Sequence, residues 1–253
     1  SLVNAAAWVL SPTASEMDTR GESARLRAML VAGARYSVLV CWPVLLGLIV
    51  FGRNLLATWV GPRYAGAGLL LAILALPTMI ALPQATASSL LFGVSRHRGV
   101  VLLSLGAALA NLGLSVWWAR WPGPMRALFG TAVPPGVVGV AMGTAVPLLL
   151  VSGVATAVYA CRALAQPLGE YVWRGLLQPG LASLAFLLPA LLAQRLWHPL
   201  GWLPLGATCA GCWLLFAVWA WRFGISDEER GRWTQLGSGL LGARAEPLGG
   251  AGR

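Results

Sequence analysis

Long apolar runs separated by short polar breaks occupy nearly the whole chain. A helix needs about 20 mostly apolar residues to cross hydrocarbon. Six runs reach that length, at about 35–54, 67–92, 99–121, 135–160, 176–196 and 203–221, and a shorter one precedes them from residue 1 to about residue 12. No run alternates apolar and polar positions as a barrel strand would. Hydrocarbon supplies no partner for free backbone groups, so the runs are expected to be helices. The pattern predicts an all-α integral membrane protein, a polytopic helix bundle of about six complete spans plus one truncated span.

The breaks carry their own signals. Ser15-Glu16-Met17-Asp18 reads as the cap of a short helix on the membrane surface, with Leu26, Met29 and Leu30 toward lipid and Arg20, Arg25 and Arg27 toward water. Ser226-Asp227-Glu228-Glu229 repeats the device ahead of 230–236, and the Gly-rich stretch 237–253 reads as disordered. The segment from Trp121-Pro122-Gly123-Pro124 to Pro134-Pro135-Gly136 is the longest break on the second side. Trp8, Trp42, Trp59, Trp117, Trp118, Trp121, Trp197, Trp202, Trp219 and Trp221 fall mostly near the ends of runs, as anchors at the headgroup level do. Pro43, Pro77, Pro83, Pro147, Pro189 and Pro204 lie in or near spans, where each removes a backbone hydrogen bond and bends its helix. Gly139 and Gly143 form a GxxxG step that lets two helices approach closely.

Composition narrows the class. Of 253 residues, 58% are apolar and 10% charged, too few charges to cover a water-soluble surface. All 18 basic residues are arginine, against 8 acids. They sit at the ends of runs and form no basic stripe, which argues for topology charges and against nucleic acid. Taking the breaks alternately, one side collects Arg20, Arg25, Arg27, Arg35, Arg96, Arg98, Arg162, Arg174, Arg222, Arg230 and Arg232. The other collects Arg53, Arg63, Arg120, Arg126 and Arg195. The richer side is expected to be cytoplasmic, with the C-terminus on it. The chain opens inside an apolar stretch with no charged region before it. It is therefore expected to be the C-terminal part of a larger membrane protein.

Ionisable groups at mid-depth mark function in membrane proteins. All eight acids fall in breaks or the tail, and His97 and His198 fall at interfaces. The spans thus hold no acid–base pair, metal cluster or nucleophile–base dyad, and an enzyme is not expected. No cofactor or metal is expected either. Cys209 and Cys212 share a helical face but lack a second pair, so they read as small apolar residues. The uncharged polar positions are more informative. Gln84, Ser88 and Phe92 share one face; Ser104, Asn111 and Ser115 share another; Thr144, Ser152 and Thr156 follow. They are expected either to tie helices together or to line a polar path.

Several stretches together resemble the C-terminal half of the polysaccharide-lipid flippases, the oligosaccharide-exporting branch of the multidrug/oligosaccharidyl-lipid/polysaccharide exporter superfamily. They are 12–30, Gly33-Ala34-Arg35-Tyr36, Trp59-Val60-Gly61-Pro62-Arg63-Tyr64-Ala65, Leu82-Pro83-Gln84, Leu91-Phe92-Gly93 before Arg96-His97-Arg98, Asn111-Leu112-Gly113-Leu114-Ser115, and 136–144. The likeness covers about 1–174. It implies the second lobe of a two-lobe transporter over 1–174, two additional helices over 175–222 and a cytoplasmic tail over 223–253. It further implies a cell-membrane protein that moves polyprenyl-pyrophosphate-linked oligosaccharide (lipid-linked, O-antigen type) to the outer leaflet by alternating access, together with a preceding N-terminal lobe. In this reading Arg35 meets pyrophosphate, and Gln84, Ser88 and Asn111 line the path. The alternatives are a drug or cation antiporter of the same superfamily, which calls for a buried acid, and a membrane-embedded enzyme of polysaccharide assembly.

Overall fold

A computed structural model describes residues 2–129, 133–220 and 222. The capping box at 226–229, the following helix and the Gly-rich tail lie outside the described residues. Among the described residues there is no strand. Six helical rods are long and apolar enough to cross a membrane: Ser23–Trp59, Pro62–Ala81, Arg98–Arg120, Pro135–Ala163, Leu168–Trp197 and Trp202–Trp219. The chain is a multi-pass membrane protein, and each of the six expected complete runs has its rod.

In chain order the helices are α1 (Leu2–Thr19), α2 (Ser23–Trp59), α3 (Gly68–Ala81), α4 (Gln84–Gly93), α5 (Arg98–Arg120), α6 (Gly123–Phe129), α7 (Pro135–Pro147), α8 (Thr156–Ala163), α9 (Leu168–Glu170), α10 (Gln178–Trp197) and α11 (Trp202–Trp219). A 3-10 turn over Pro62–Ala67 leads into α3. Two π-helical segments, Leu148–Ala155 and Tyr171–Leu177, join α7 to α8 and α9 to α10. The rods stand side by side in the spatial order α11, α10, α2, α3, α7, α5, and α4 packs against α1, α2 and α8. Rod α5 lies at one edge, with only 6% of its apolar window buried. The division expected at 174/175 falls inside the rod that begins at Leu168.

Two expectations change at the start of the chain. Helix α1 does not end at Pro12; it continues to Thr19, so Ser15 to Asp18 form its last turns and cap nothing. The expected surface helix is the first three turns of the 37-residue α2. Its Leu26 and Leu30 are 4% and 0% exposed, so they face protein and not lipid. They pack with Ala14, Leu90, Leu91, Ala160 and Tyr171 in a core cluster at one end of the bundle.

Three turns at this end close in the same way. After α1, the Glu22 N–H donates to the Met17 carbonyl at 2.9 Å and the Gly21 N–H to Asp18 at 3.0 Å. Arg96 and Ser95 repeat the pair onto Leu91 and Phe92; Gln166 and Ala165 repeat it onto Cys161 and Arg162. This is the Schellman closure, which needs a left-handed residue after the helix. Gly21 adopts φ 71° freely, whereas Ser95 at 58° and Ala165 at 53° do so with a Cβ. Arg96 then donates through Nη1 to the Ala163 carbonyl, and Arg27 donates to Ala165 at 3.4 Å. The breaks with the most arginines thus gather at one end.

The second expected span is broken. Pro83 has no N–H for the Met79 carbonyl, and the rod divides there into α3 and α4. The Trp42 indole, reaching from α2, donates to that carbonyl at 2.7 Å. Trp42 is therefore no interfacial anchor: it repairs a helix inside the bundle, where a bare carbonyl has no water to turn to. Trp59, Trp117, Trp121, Trp197 and Trp202 remain at rod ends, each more than 60% exposed. The GxxxG step seats α7 on α5. A Cβ on Gly139 would lie 2.7 Å from the Trp118 carbonyl oxygen, and one on Gly143 would lie 2.6 Å from the Ser115 backbone nitrogen.

Candidate functional site: a basic crevice and a polar crevice

Arg35 lies on the second half of an α2 face that also carries Ala24, Arg27, Ala28 and Val31, positions three or four residues apart. Opposite stand Glu170, Arg174 and Gln178, four residues apart along the rod of α9 and α10. The two rods touch where Gly175 meets Ala34, a contact in which a Cβ would sit 3.4 Å from the alanine methyl. Beside that contact the faces part into a crevice of about 530 Å³, which Gln166 also lines. Three guanidinium groups and one carboxylate line it, a formal balance of +2 from Arg27, Arg35, Arg174 and Glu170. Arg174 pairs with Glu170 at 2.9 Å, and Gln166 donates to the other carboxylate oxygen at 3.1 Å. Arg174 and Glu170 are largely exposed, so their pair contributes little to stability and mainly fixes side-chain position.

Gln84 and Ser88 meet in a second crevice of about 230 Å³. It also receives Thr78 from α3, Ser104 from α5, Ser152 from the first π segment and Thr156 from α8. Gln84 itself is 2% exposed. Its amide donates to the Ile80 carbonyl at 3.2 Å, and its oxygen accepts the Tyr171 hydroxyl at 2.7 Å. It thereby ties the break at Pro83 to the rod that walls the basic crevice, while its α4 turn borders the polar one. Tyr171 is fully buried, so Gln84 is its essential acceptor.

The four sequence-derived candidates therefore separate. Arg35 lines the basic crevice, Gln84 and Ser88 line the polar one, and Asn111 lines neither. Asn111 stands two turns along α5 from Ser104, where it accepts the Ser115 hydroxyl at 3.2 Å beside the α7 contact. Phe92 keeps its place on the α4 face of Gln84 and Ser88 but lies beyond the crevice lining, where it stacks on His97 with ring centres 5.7 Å apart. The partners of Arg35 were missed as a set. The spacing of Glu170, Arg174 and Gln178 was visible in the sequence, but nothing local says that this face meets the Arg27–Arg35 face of α2.

Among the described residues, no three His, Cys, Asp or Glu side chains gather as metal ligands would. The four thiols are free, and Cys41 and Cys212 are buried in a core formed by α2, α3, α10 and α11. No family model, no curated protein and no solved structure matches this chain.

Proposed function

We propose that the chain is the second lobe of a flippase for lipid-linked oligosaccharide, acting with a preceding N-terminal lobe in the cell membrane. The observation that carries the reading is the convergence of Arg27, Arg35 and Arg174 on one crevice at the arginine-rich end. A pyrophosphate offers several anionic oxygens, and the planar guanidinium fork donates two hydrogen bonds to such a group at once. The crevice carries one carboxylate against three cations, so it favours an anion. The polar crevice offers the hydroxyls of Ser88, Ser104 and Ser152, partners that sugar hydroxyls can use.

In this mechanism the arginine-rich end faces the cytoplasm and captures the pyrophosphate head. The sugars then pass the hydroxyl-lined crevice as the two lobes rock about the site. Arg35 and Arg174 bind the head, Gln84 and Ser88 border the path, and Asn111 positions the Ser115 hydroxyl that reaches the Val140 carbonyl of α7. An antiporter would call for an acid at mid-depth; Glu170 stands near a rod end, engaged by Arg174 and Gln166.

The test uses the complete protein in cells that lack their own copy. Arg35→Ala and Arg174→Ala are expected to cut surface polysaccharide export about tenfold each, the worth of one charge-assisted hydrogen bond, with membrane abundance unchanged. Normal export in both variants would sink the proposal. Asn111→Leu frees the Ser115 hydroxyl for the Val140 carbonyl alone and is expected to leave both export and abundance within about twofold of the parent; lost export at normal abundance would return Asn111 to the path.

A further inference from the structure

At the end of the bundle away from the basic crevice, the last turns of α2 meet the turn that joins α10 to α11. Asn54, 4% exposed, donates its amide to the Pro199 carbonyl at 2.8 Å. Gln194 donates its amide to the Asn54 oxygen at 2.9 Å. The Gly201 N–H closes the turn on the Thr58 hydroxyl at 3.0 Å. The orientation of both side-chain amides is forced. A carbonyl only accepts, so Asn54 presents nitrogen to Pro199 and oxygen to Gln194, and Gln194 must present its own nitrogen in return. Its remaining oxygen, Oε1, is buried and has no donor among the described residues.

Gln194 lines a crevice of about 430 Å³ with Asn54, Arg53, His198, Pro62 and Leu200. No acid lines it. Arg53 is exposed and has no ion-pair partner among the described residues. His198 is held in the left-handed conformation, at φ 43° and ψ 60°, by the same turn. Trp59, Trp197 and Trp202 are exposed at this level, which is where tryptophan sits when it meets lipid headgroups. The crevice thus offers a cation and apolar walls at headgroup depth, with the unmet Gln194 oxygen covered just behind its lining.

We infer that this crevice binds the headgroup of a hydroxylated anionic phospholipid of the phosphatidylglycerol type. The phosphate lies against Arg53, and the lining parts to let a glycerol hydroxyl donate to the covered Gln194 Oε1. Phosphatidylcholine has neither a net negative charge nor a donor, so it does not complete the site. The inference does not rest on the transport reading, and its readout is independent of export.

The complete protein is purified in detergent, stripped of lipid and unfolded by heat with dioctanoyl-phosphatidylglycerol, dioctanoyl-phosphatidylcholine or free glycerol phosphate added. Phosphatidylglycerol is expected to raise the midpoint in a saturable way, and the other two are not. Gln194→Met and Arg53→Ala are each expected to weaken the apparent affinity for phosphatidylglycerol about tenfold. Thr58→Val removes the neighbouring turn bond without touching the crevice, so it lowers the starting midpoint and keeps the lipid preference. Equal response to the two lipids would overturn the proposal and leave water as the partner of the Gln194 oxygen. An equal response to glycerol phosphate would overturn the lipid as occupant. Should Gln194→Met fail to fold, the exposed Arg53 still decides the matter: undiminished preference in Arg53→Ala refutes the site.

Discussion

At the scale of single residues, buried polar groups divide into those with one partner and those with several. Tyr171 has one, the oxygen of Gln84. Gln84→Leu leaves a buried hydroxyl without an acceptor and should cost about 1–3 kcal/mol. Tyr171→Phe in the same chain removes the other half of the problem. The double variant is therefore expected to be more stable than Gln84→Leu alone, as measured by thermal unfolding in detergent; additive losses would mean the bond is not the one that matters. Ala165 makes the opposite case. Its left-handed backbone carries a Cβ that the closure does not use. Ala165→Gly relieves the strain at some entropic cost, and a net gain of about 0.5–1 kcal/mol is expected in the same assay. A loss would show that the turn is not strained. Nothing in the sequence marks Ser95 or Ala165 as left-handed, because there the closure is imposed by the packed rods.

At the scale of elements, glycine placement decides how closely rods approach. Gly143→Ala drives a methyl into the Ser115 backbone. Backbone cannot rotate aside as a side chain can, so a cost of about 1–3 kcal/mol is expected, with α5 loosening first. Increased proteolysis or faster hydrogen exchange confined to α5 and α7 would register it; uniform loosening of all rods would contradict it. Six of the spans were legible because hydrocarbon enforces a length and a polarity on every crossing, and those constraints are local. The α1–α2 turn was misread for the same reason: an amphipathic stretch with Leu26 and Leu30 looks identical whether its apolar face meets lipid or protein. Arg35 was legible as a cation at the start of an apolar run, although its rod begins three turns earlier at Ser23. Its companions were not, since Arg27 and Arg174 are brought together only by the packing of α2 on the rod that begins at Leu168.

For the whole molecule, the arginine-rich breaks assemble into one end, held by the contacts of Arg96 and Arg27 with the turn after α8. The positive-inside bias then predicts the orientation of everything else. Gly169 lies at the arginine-rich end and Gly123 at the other, and a Cβ at either position meets open space. In a background freed of native thiols, Gly123→Cys is expected to react with an impermeant maleimide in intact cells, and Gly169→Cys only after permeabilisation. The reverse pattern would turn the molecule over and place the basic crevice outside, where a cytoplasmic pyrophosphate head has no access to it.

The interruption at Pro83 bears on how such a body moves. One orphaned carbonyl there is held by an indole from α2, and the amide one residue on from the proline is shared with a phenol from beyond α9. Straightening the rod would strand a carbonyl in hydrocarbon and unhook the phenol in the same motion. The elbow is consequently bolted to two neighbours, and any swing of α4 carries α2 and the Tyr171 segment with it as a single wedge.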